Sequence, residues 1–384
     1  VVFAMTSRRP EPFDEIAKQV SQEKAADFHE RWVLGYGHAS VAEHAVLHLA
    51  VENVSRLACD TLEDNRLASY TEKSSRYQLM PPDYFYLPPE LAGPPYSPPL
   101  VRGDCRGSVS TLFRETCRGL FGAYRRLVDG CMDHLRRTNP QRDGERAPAY
   151  NLRLRRIATD SCRAVLPAAT LTNVGVTANA RVLEHAVSKL LSSGLAEERE
   201  LGLELLQEGQ KITPTLIKYA ALNPYLAEVA EVQRELAHRY ASVGNEKITS
   251  YSPSHPSPAG EGEVKLVHWD PQAEAKLAAA LLFRYSGLDY GEIWRRVGDM
   301  GPEDRQAVFD RCLSGLGPHD APVRELELVD YTFEFLLDYG AYREFKRHRM
   351  QTYLPQPLTV AHGYRAPPLL VEAGLKAEFE EAMG

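Results

Sequence analysis

A short polar run, Glu72-Lys73-Ser74-Ser75-Arg76-Tyr77, combines side chains that suit a phosphate-bearing ligand. If the run is extended, Glu72, Ser74 and Arg76 point to one face, because side chains alternate along a strand. Arginine offers phosphate a bidentate fork of donors, and serine adds a further donor. Such charge-assisted hydrogen bonds contribute about 1.5–3 kcal/mol each. A solvated strand face is the alternative interpretation, and the pattern alone favours neither.

A basic group, Arg347-His348-Arg349, ends a predicted helix that also carries Arg343 and Lys346. The helix macrodipole favours cations at a C-terminus, so capping alone explains the group. A site for a pyrophosphate or an anionic ring is the second interpretation.

A third cluster begins at Arg163-Ala164-Val165-Leu166-Pro167 and continues with Asn179, Arg181 and His185. Arg181 and His185 are four positions apart on a predicted helix, so they share a face. A helix that carries Asn, Arg and His inward could bind a planar polar cofactor. A surface face is again the alternative.

Several familiar motifs are absent from the sequence. It contains no P-loop, no nucleophile elbow and no His-Glu-x-x-His. The run Gly35–Ser40 resembles half of a dinucleotide fingerprint, but it lacks the third glycine and follows a predicted helix. His44 and His48 share a side by their spacing, yet no third ligand accompanies them. We therefore expect no metal site.

The composition is that of a soluble globular protein with two or three domains, at 384 residues, 43% apolar and 25% charged. With 45 Lys and Arg against 52 Asp and Glu, the net charge of −7 argues against a nucleic-acid binder. No apolar run reaches about 18 residues, so no membrane span is expected. No secretory signal is expected either. Six scattered cysteines without a C-x-x-C pair indicate free thiols in the cytoplasm.

Two segments of the chain are weakly similar to each other. From Phe3 to Arg66 is 63 residues, and from Phe283 to Arg349 is 66. The shared order and spacing predict a divergent tandem duplication, with chance similarity as the alternative. We predict a first domain over 1–225, a Pro- and Ser-rich linker region over 226–265, and a second, incomplete domain over 266–384.

The elements that must position these residues mix long helices with short strands. Apolar spacing and capping residues predict strands over 46–51, 69–77 and 330–337, and helices over 11–34, 55–66, 108–137, 178–192, 197–221 and 340–349. Ser55 and Thr177 are the predicted caps of two of these helices. An order other than βαβ predicts an α+β fold, with two copies of long helices packed on a short, mainly antiparallel sheet.

Together these segments resemble the flavin-dependent thymidylate synthases. That family is marked by Gly-His-x-Ser-x-x-Glu-His, Val-Ser-Arg, Glu-x-Ser-x-Arg-Tyr, Arg-x-x-Leu-Pro and Asn-x-Arg-x-Leu-x-His. The order and spacing match over about 1–221, in the segments Gly37–His44, Val54–Arg56, Glu72–Tyr77, Arg163–Pro167 and Asn179–His185.

The resemblance implies methylation of dUMP to dTMP, with methylenetetrahydrofolate as carbon donor and NADPH reducing bound FAD. It implies that Ser74, Arg76 and Arg163 bind and act on dUMP, with Glu72 positioning it. The residues that it implies for FAD are His38, Ser40, Glu43, Asn179, Arg181, His185, Arg347, His348 and Arg349. Because family members are homotetramers with sites shared between subunits, it also implies a homodimer of this chain and a composite site shared by the two halves.

The sequence also departs from the family pattern. Asp64-Asn65-Arg66 stands where the family has Arg-His-Arg, Thr61 where it has Gln, and Leu190 where it has a further Arg. The second half keeps Arg347-His348-Arg349 but loses the substrate strand, through Pro355, Pro357 and Thr359. The halves are therefore complementary. The alternatives are a flavin- or nucleotide-binding homologue without synthase activity, and a relative that acts on another pyrimidine.

Overall fold

The computed structural model describes residues 1–6, 9–21, 24–25, 28, 39–91, 106–241 and 263–384. The chain forms two compact units, Val1–Ser252 with Tyr339–Gly384, and Pro253–Asp338. The structure thus groups the chain differently from the predicted domains 1–225 and 266–384, since residues from Tyr339 onward join the first unit. Descent of the two halves from one ancestor stays a prediction.

The first unit combines helices with short strands. In chain order its elements are α1 (Val2–Met5), α2 (Phe13–Gln19), a 3-10 helix (Ala39–His44), β1 (Val46–Ser55), α3 (Arg56–Glu63), β2 (Ala68–Glu72), α4 (Arg106–Thr138), α5 (Ala147–Cys162), β3 (Leu171–Asn179), α6 (Ala180–Leu191), α7 (Ala196–Ile212) and α8 (Pro224–Ala241). The second unit follows with β4 (Glu263–Trp269), α9 (Ala273–Ser286), α10 (Tyr290–Asp299), α11 (Pro302–Leu313) and β5 (Tyr331–Leu336). The chain then returns to the first unit with α12 (Tyr339–Phe345), α13 (Pro368–Glu372) and α14 (Lys376–Met383).

A three-stranded antiparallel sheet organises the first unit, with β3 between β1 and β2. A bulge in β1 at Asn53, where φ is 58°, adds one residue to the strand. Asparagine tolerates this left-handed conformation better than most residues. Because of the extra residue, Val54 lies on the same buried face as Leu47 and Val51. One apolar face therefore runs the length of the strand.

That apolar face packs against α3, α6 and α7 to form the first core, which includes Leu62, Leu183, Val187 and Leu205. Ser55 caps α3 as predicted, because its side chain accepts a hydrogen bond from the Ala58 N–H. The prediction that Thr177 caps α6 is wrong. β3 continues through Thr177 to Asn179, which pairs with Val46, and it is the Asn179 side chain that caps α6.

A second core lies between α4 and α5 and is closed by the C-terminal helices. Tyr124, Leu127 and Leu154 are fully buried there, together with Leu370 of α13 and Phe379 of α14. This packing explains why the C-terminal residues belong to the first unit.

The second unit holds an antiparallel pair of strands, β4 and β5, and a small helical core. Val264 pairs with Phe335 across the strands. The helical core is formed by the buried residues Ala278, Ala279, Ile293 and Val297. Among the helices of the described residues, none combines the length and apolar character of a membrane span.

The fold confirms the α+β class, with helices on a small antiparallel sheet, and several element predictions need correction. The predicted helix over 197–221 ends at Ile212, because Pro214 disfavours helical geometry at the residue before it. The start of the predicted linker region is helical, as α8. The predicted helix over 340–349 ends at Phe345. Most of 22–34, in the predicted first helix, lies outside the described residues.

Candidate functional site

Two of the predicted phosphate-binding arginines meet at one carboxylate. The Arg76 Nε and the Arg163 Nη2 each lie 3.1 Å from Asp160 Oδ1. Arg76 comes from the turn after β2, while Asp160 and Arg163 come from the end of α5 and the turn that follows it. The Asp160 carboxylate is therefore shared by two guanidinium groups and alone does not balance both positive charges.

The donors of both arginines remain available to a ligand. Asp160 Oδ1 is buried without a hydrogen-bond partner, so the two contacts are ion pairs without directed hydrogen bonds. Within the described part of the chain, neither guanidinium donates a hydrogen bond to another residue. A phosphate could therefore take up these donors without breaking an existing hydrogen bond.

The extended geometry predicted for Glu72, Ser74 and Arg76 is wrong beyond Glu72. Strand β2 ends at Glu72, and the Ser74 hydroxyl accepts a hydrogen bond from the Arg76 backbone N–H at 3.2 Å. Serine side chains often close such local turns. The turn carries Arg76 to Asp160 and leaves Glu72 in different surroundings.

Glu72 is the acceptor of a buried ion-pair cluster. It receives the Arg56 Nη1 at 2.8 Å, the Thr172 hydroxyl at 3.0 Å and the Arg343 guanidinium. Burial and the nearby Arg343 lower the pKa of Arg56, and Glu72 opposes this by stabilising the positive charge. The Glu72 carboxylate is thus occupied by contacts with protein side chains.

The helix α12 reaches both groups of residues. Arg343 pairs with Glu72, and the Glu344 Oε1 lies 3.9 Å from the Arg163 Nη1. Its first residue, Tyr339, donates a hydrogen bond to the Arg56 carbonyl at 3.2 Å. Residues from the second half of the sequence therefore contact the predicted substrate strand of the first.

A basic row runs along α6. Arg181 pairs with Glu43 at 2.5 Å, and Lys189 pairs with Asp64 at 2.6 Å. His185, exposed, lies between them at the same helical spacing. Asp64, which puts negative charge where the family pattern has arginine, is therefore neutralised by a neighbouring lysine.

The other residues predicted to bind a cofactor either lie near this basic row or cap helix α6. Asn179 accepts a hydrogen bond from the Val182 N–H at 2.9 Å, which gives it a capping role. Ser40 is exposed in the 3-10 helix that packs on α6. His38 lies outside the described residues.

The Arg347-His348-Arg349 group lies in the turn after α12. The Arg349 guanidinium is 5.4 Å from the centre of the Tyr70 ring, and its Nε is buried without a hydrogen-bond partner. The Arg347 Nη1 pairs with Glu344 at 3.1 Å, and His348 is exposed. Among the described residues, the buried Arg349 Nε is thus a donor without an acceptor.

The buried Cys59 thiol does not form an activated nucleophile at this site. Burial raises the pKa of the Cys59 thiol, with Glu63 and Glu72 adding to the effect. A thiol of raised pKa is a poor nucleophile at neutral pH. In the described residues, no group of three or more His, Cys, Asp or Glu side chains could hold a metal ion.

Comparison with known proteins decides the family. The family model described as thymidylate synthase complementing protein matches residues 1–215, more than half of the sequence. The chain belongs to this family. The match confirms the resemblance and covers the sheet, α3 and the Arg76–Asp160–Arg163 cluster.

Similar proteins differ in how much of this chain they match. A UPF0159 protein of Chlamydia muridarum is 33% identical over 376 residues, covering 94% of this chain and 66% of that protein. A flavin-dependent thymidylate synthase of Clostridium tetani is 27% identical over 213 residues, covering 55% of this chain and 76% of that protein. The solved UMP/dUMP methylase of Streptomyces cacaoi is 20% identical, covering 60% of this chain and 88% of that chain, with a TM-score of 0.43. The chain thus spans a little less than two thirds of the length of the Chlamydia muridarum protein, at 66%.

Three residues of the site were not among the predicted site residues. Asp160 is three positions before Arg163 on α5, a spacing that places the two on one helix face. Arg343 carried a signal as part of the basic run before Arg347, although that run was equally explained by capping. Arg56 belongs to the Val-Ser-Arg segment, which fixes its identity but not its partner.

Proposed function

We propose that the protein methylates dUMP to dTMP with bound FAD, using methylenetetrahydrofolate as carbon donor and NADPH as reductant. One observation carries the proposal: in a chain of this family, Arg76 and Arg163 form ion pairs with Asp160, and within the described residues neither guanidinium group donates a hydrogen bond. The name of the Clostridium tetani relative supports a flavin and thymidylate chemistry.

In this proposal the two arginines bind the phosphate of dUMP. The side chain of Arg76 is 44% exposed and that of Arg163 is 19% exposed, so the pair can be reached from solvent. Their positive charges favour an incoming phosphate and stabilise negative charge near it. Ser74 holds the turn that presents Arg76, and Glu72 fixes the strand behind it through Arg56.

The residues that would hold FAD are the basic row of α6 and the turn after α12. Arg181, His185 and Lys189 offer positive charge along one helix face, and Arg349 offers its unpartnered buried Nε to an anionic group. Reduced FAD would supply the reducing equivalents. Contributions from α12 to a site on the first half form the composite site that we propose, within a homodimer in the cytoplasm.

Two measurements on the purified protein test the activity. We expect a yellow protein with bound FAD, and release of tritium from dUMP labelled at C5 that requires methylenetetrahydrofolate and NADPH. A colourless protein that releases no tritium would contradict the proposal. Bound FAD without tritium release would favour the alternative of a flavin-binding homologue without synthase activity. The reason to test this alternative is Asp64, which stands where the family pattern has arginine.

The Arg76→Ala variant tests the phosphate site directly. We expect the Kd for dUMP to rise about 10-fold or more, because a charge-assisted contact contributes about 1.5–3 kcal/mol, while FAD stays bound. Arg136→Ala is the matched control, since it removes an exposed arginine that pairs with Asp133 at 2.9 Å elsewhere. Equal dUMP affinity in both variants would remove Arg76 from the site.

A further inference from the structure

The helices α3 and α12 begin at matching positions of the two similar halves. Their first residues, Arg56 and Tyr339, are 283 positions apart, as are Arg66 and Arg349 in the two copies of the Arg-His-Arg segment. This offset makes Asp60 equivalent to Arg343, Glu63 to Lys346, and Tyr70 to Tyr353. Each helix is the next element after a strand: α3 follows β1 directly, and α12 follows β5 after two residues.

Two polar contacts connect these helices. Tyr339 bonds to its own equivalent, Arg56. Lys346 binds Asp60, with Nζ 2.9 Å from Oδ1 and 2.7 Å from the carbonyl oxygen. The positions equivalent to that pair hold Glu63 and Arg343, which also carry opposite charges, and the positive charge of Arg343 lowers the pKa of Glu63 against the larger effect of burial.

The segments after the helices make reciprocal contacts. Arg66 donates to the Thr352 hydroxyl at 3.0 Å, and its equivalent Arg349 lies over the Tyr70 ring. Tyr70 directly follows Ser69, which is the equivalent of Thr352. Each arginine therefore reaches the residues that follow its counterpart. Such exchange of equivalent contacts is the property of an interface with two-fold symmetry.

The charges of the two helices are opposite at equivalent positions. α3 and the residue after it carry Asp60, Glu63 and Asp64, where α12 and its extension carry Arg343, Lys346 and Arg347. Two copies of α3 would bring acids together, and two copies of α12 would bring bases together. Juxtaposed like charges discriminate against wrong pairings.

We propose that α3 and α12 form an internal quasi-two-fold interface in which an acidic helix and its basic counterpart select each other within one chain. The interface does not depend on the proposed activity. The interface also brings Arg343 into its ion pair with Glu72. That ion pair has no reciprocal counterpart, because the position equivalent to Glu72 is Pro355.

Two double-mutant cycles test the symmetry, at about pH 8.5 so that Glu63 is ionised. One cycle combines Asp60→Asn with Lys346→Gln, and the other combines Glu63→Gln with Arg343→Gln. We expect both double variants to lose less thermal stability than the sum of their single variants. The loss of the Glu72 contact appears in the Arg343 single variant and cancels in the cycle. Coupling in the first cycle alone would reveal one isolated salt bridge and overturn the proposal.

Charge reversal tests the selection. Asp60→Lys with Glu63→Lys makes both helices basic, and Lys346→Glu with Arg347→Glu makes both acidic. We expect each set to lower Tm and speed amide exchange in Tyr339–Phe345, and all four changes together to recover at least half of the summed loss. Asp133→Lys with Arg136→Glu, an exposed pair on α4, is the control and should change Tm little. Losses that simply add would overturn the selection.

Discussion

At the scale of single residues, Glu72 is the carboxylate on which the buried charges of the first unit depend. Arg56 is only 4% exposed, and Glu72 is its anionic partner. We expect Glu72→Ala to lower the free energy of unfolding by about 3–5 kcal/mol, because it leaves a buried guanidinium unpaired. Urea unfolding at neutral pH measures this loss.

Glu43→Ala is the matched control for that experiment. Glu43 also pairs with an arginine, but the side chains of Glu43 and Arg181 are 46% and 53% exposed. An exposed pair contributes about 0–1 kcal/mol, so the control should lose little stability. Similar small losses in both variants would mean that Arg56 gains water when Glu72 is removed.

Glu63 makes the stability of the protein dependent on pH. Burial raises the pKa of Glu63 from 4.5 to about 7, with Glu72 adding to the effect and Arg343 and Lys346 opposing it. Between these values the folded state binds more protons than the unfolded state, so stability falls as pH rises and then levels off above about 7.

The Glu63→Gln variant should remove this part of the pH dependence. We expect the variant to gain stability relative to the natural protein as pH rises from 4.5 to about 7, because glutamine stays neutral. Urea unfolding over this range measures the difference, with the exposed Glu303→Gln as control. Parallel pH profiles for Glu63→Gln and the natural protein would contradict the prediction.

Sequence motifs identified the residues of the site better than their partners. Arg76 and Arg163 lie in recognisable segments, and the structure brings them together. Asp160 was not predicted, because an aspartate inside a helix has no distinctive pattern until the chain is folded. Glu72 was predicted to face a ligand, but whether a carboxylate faces solvent or two arginines depends on contacts distant in sequence.

At the scale of elements, Asn179 serves as a helix cap at a position predicted for cofactor binding. We expect Asn179→Ala to lower the free energy of unfolding by about 1 kcal/mol, because the Val182 N–H loses its acceptor. Asn179→Asp keeps an acceptor oxygen and should preserve stability while removing the amide donor. Thermal unfolding and FAD titration of both variants separate the two roles.

Different outcomes would contradict the capping role and the flavin-binding role of Asn179. If Asn179→Asp is as unstable as Asn179→Ala, the cap does not depend on the acceptor oxygen. If Asn179→Asp is stable and binds FAD as the natural protein does, the amide donor takes no part in flavin binding.

Periodicity predicted where elements lie and was weaker at their ends. The alternation of Leu47, Leu49 and Val51 predicts a strand, but it does not reveal the bulge at Asn53 that keeps Val54 on the buried face. The alternation from Glu72 to Arg76 is equally compatible with a strand and with the turn that Ser74 closes. Local hydrogen bonds of this kind decide boundaries that apolar spacing does not.

At the scale of the whole molecule, the grouping of the chain was the least predictable feature. Pro- and Ser-rich composition indicates a loop, but it does not say which segments pack together on either side. Leu370 and Phe379 read as apolar positions of short helices, and nothing local shows that they complete the core of α4 and α5. The α+β class followed from the mixture of elements, which is a local property.

The division into two units predicts separate local stabilities. The second unit buries four residues in its helical core, whereas the core around β3 is much larger. Regions with few buried apolar contacts open at lower free energy, so amides of α9 and α10 should exchange with solvent before those of β3. Native-state hydrogen exchange measures both sets in one experiment.

A pair of matched valine variants tests whether the units open independently. Val297 is fully buried in the second unit, and Val176 is buried in β3. We expect Val297→Ala to lower the opening free energy of α9 and α10 by on the order of 2 kcal/mol, because it leaves a cavity, while protection of β3 is unchanged. Val176→Ala should do the reverse. Equal losses of protection in both units from either variant would show that they open as one cooperative body, since the second unit is inserted within the first.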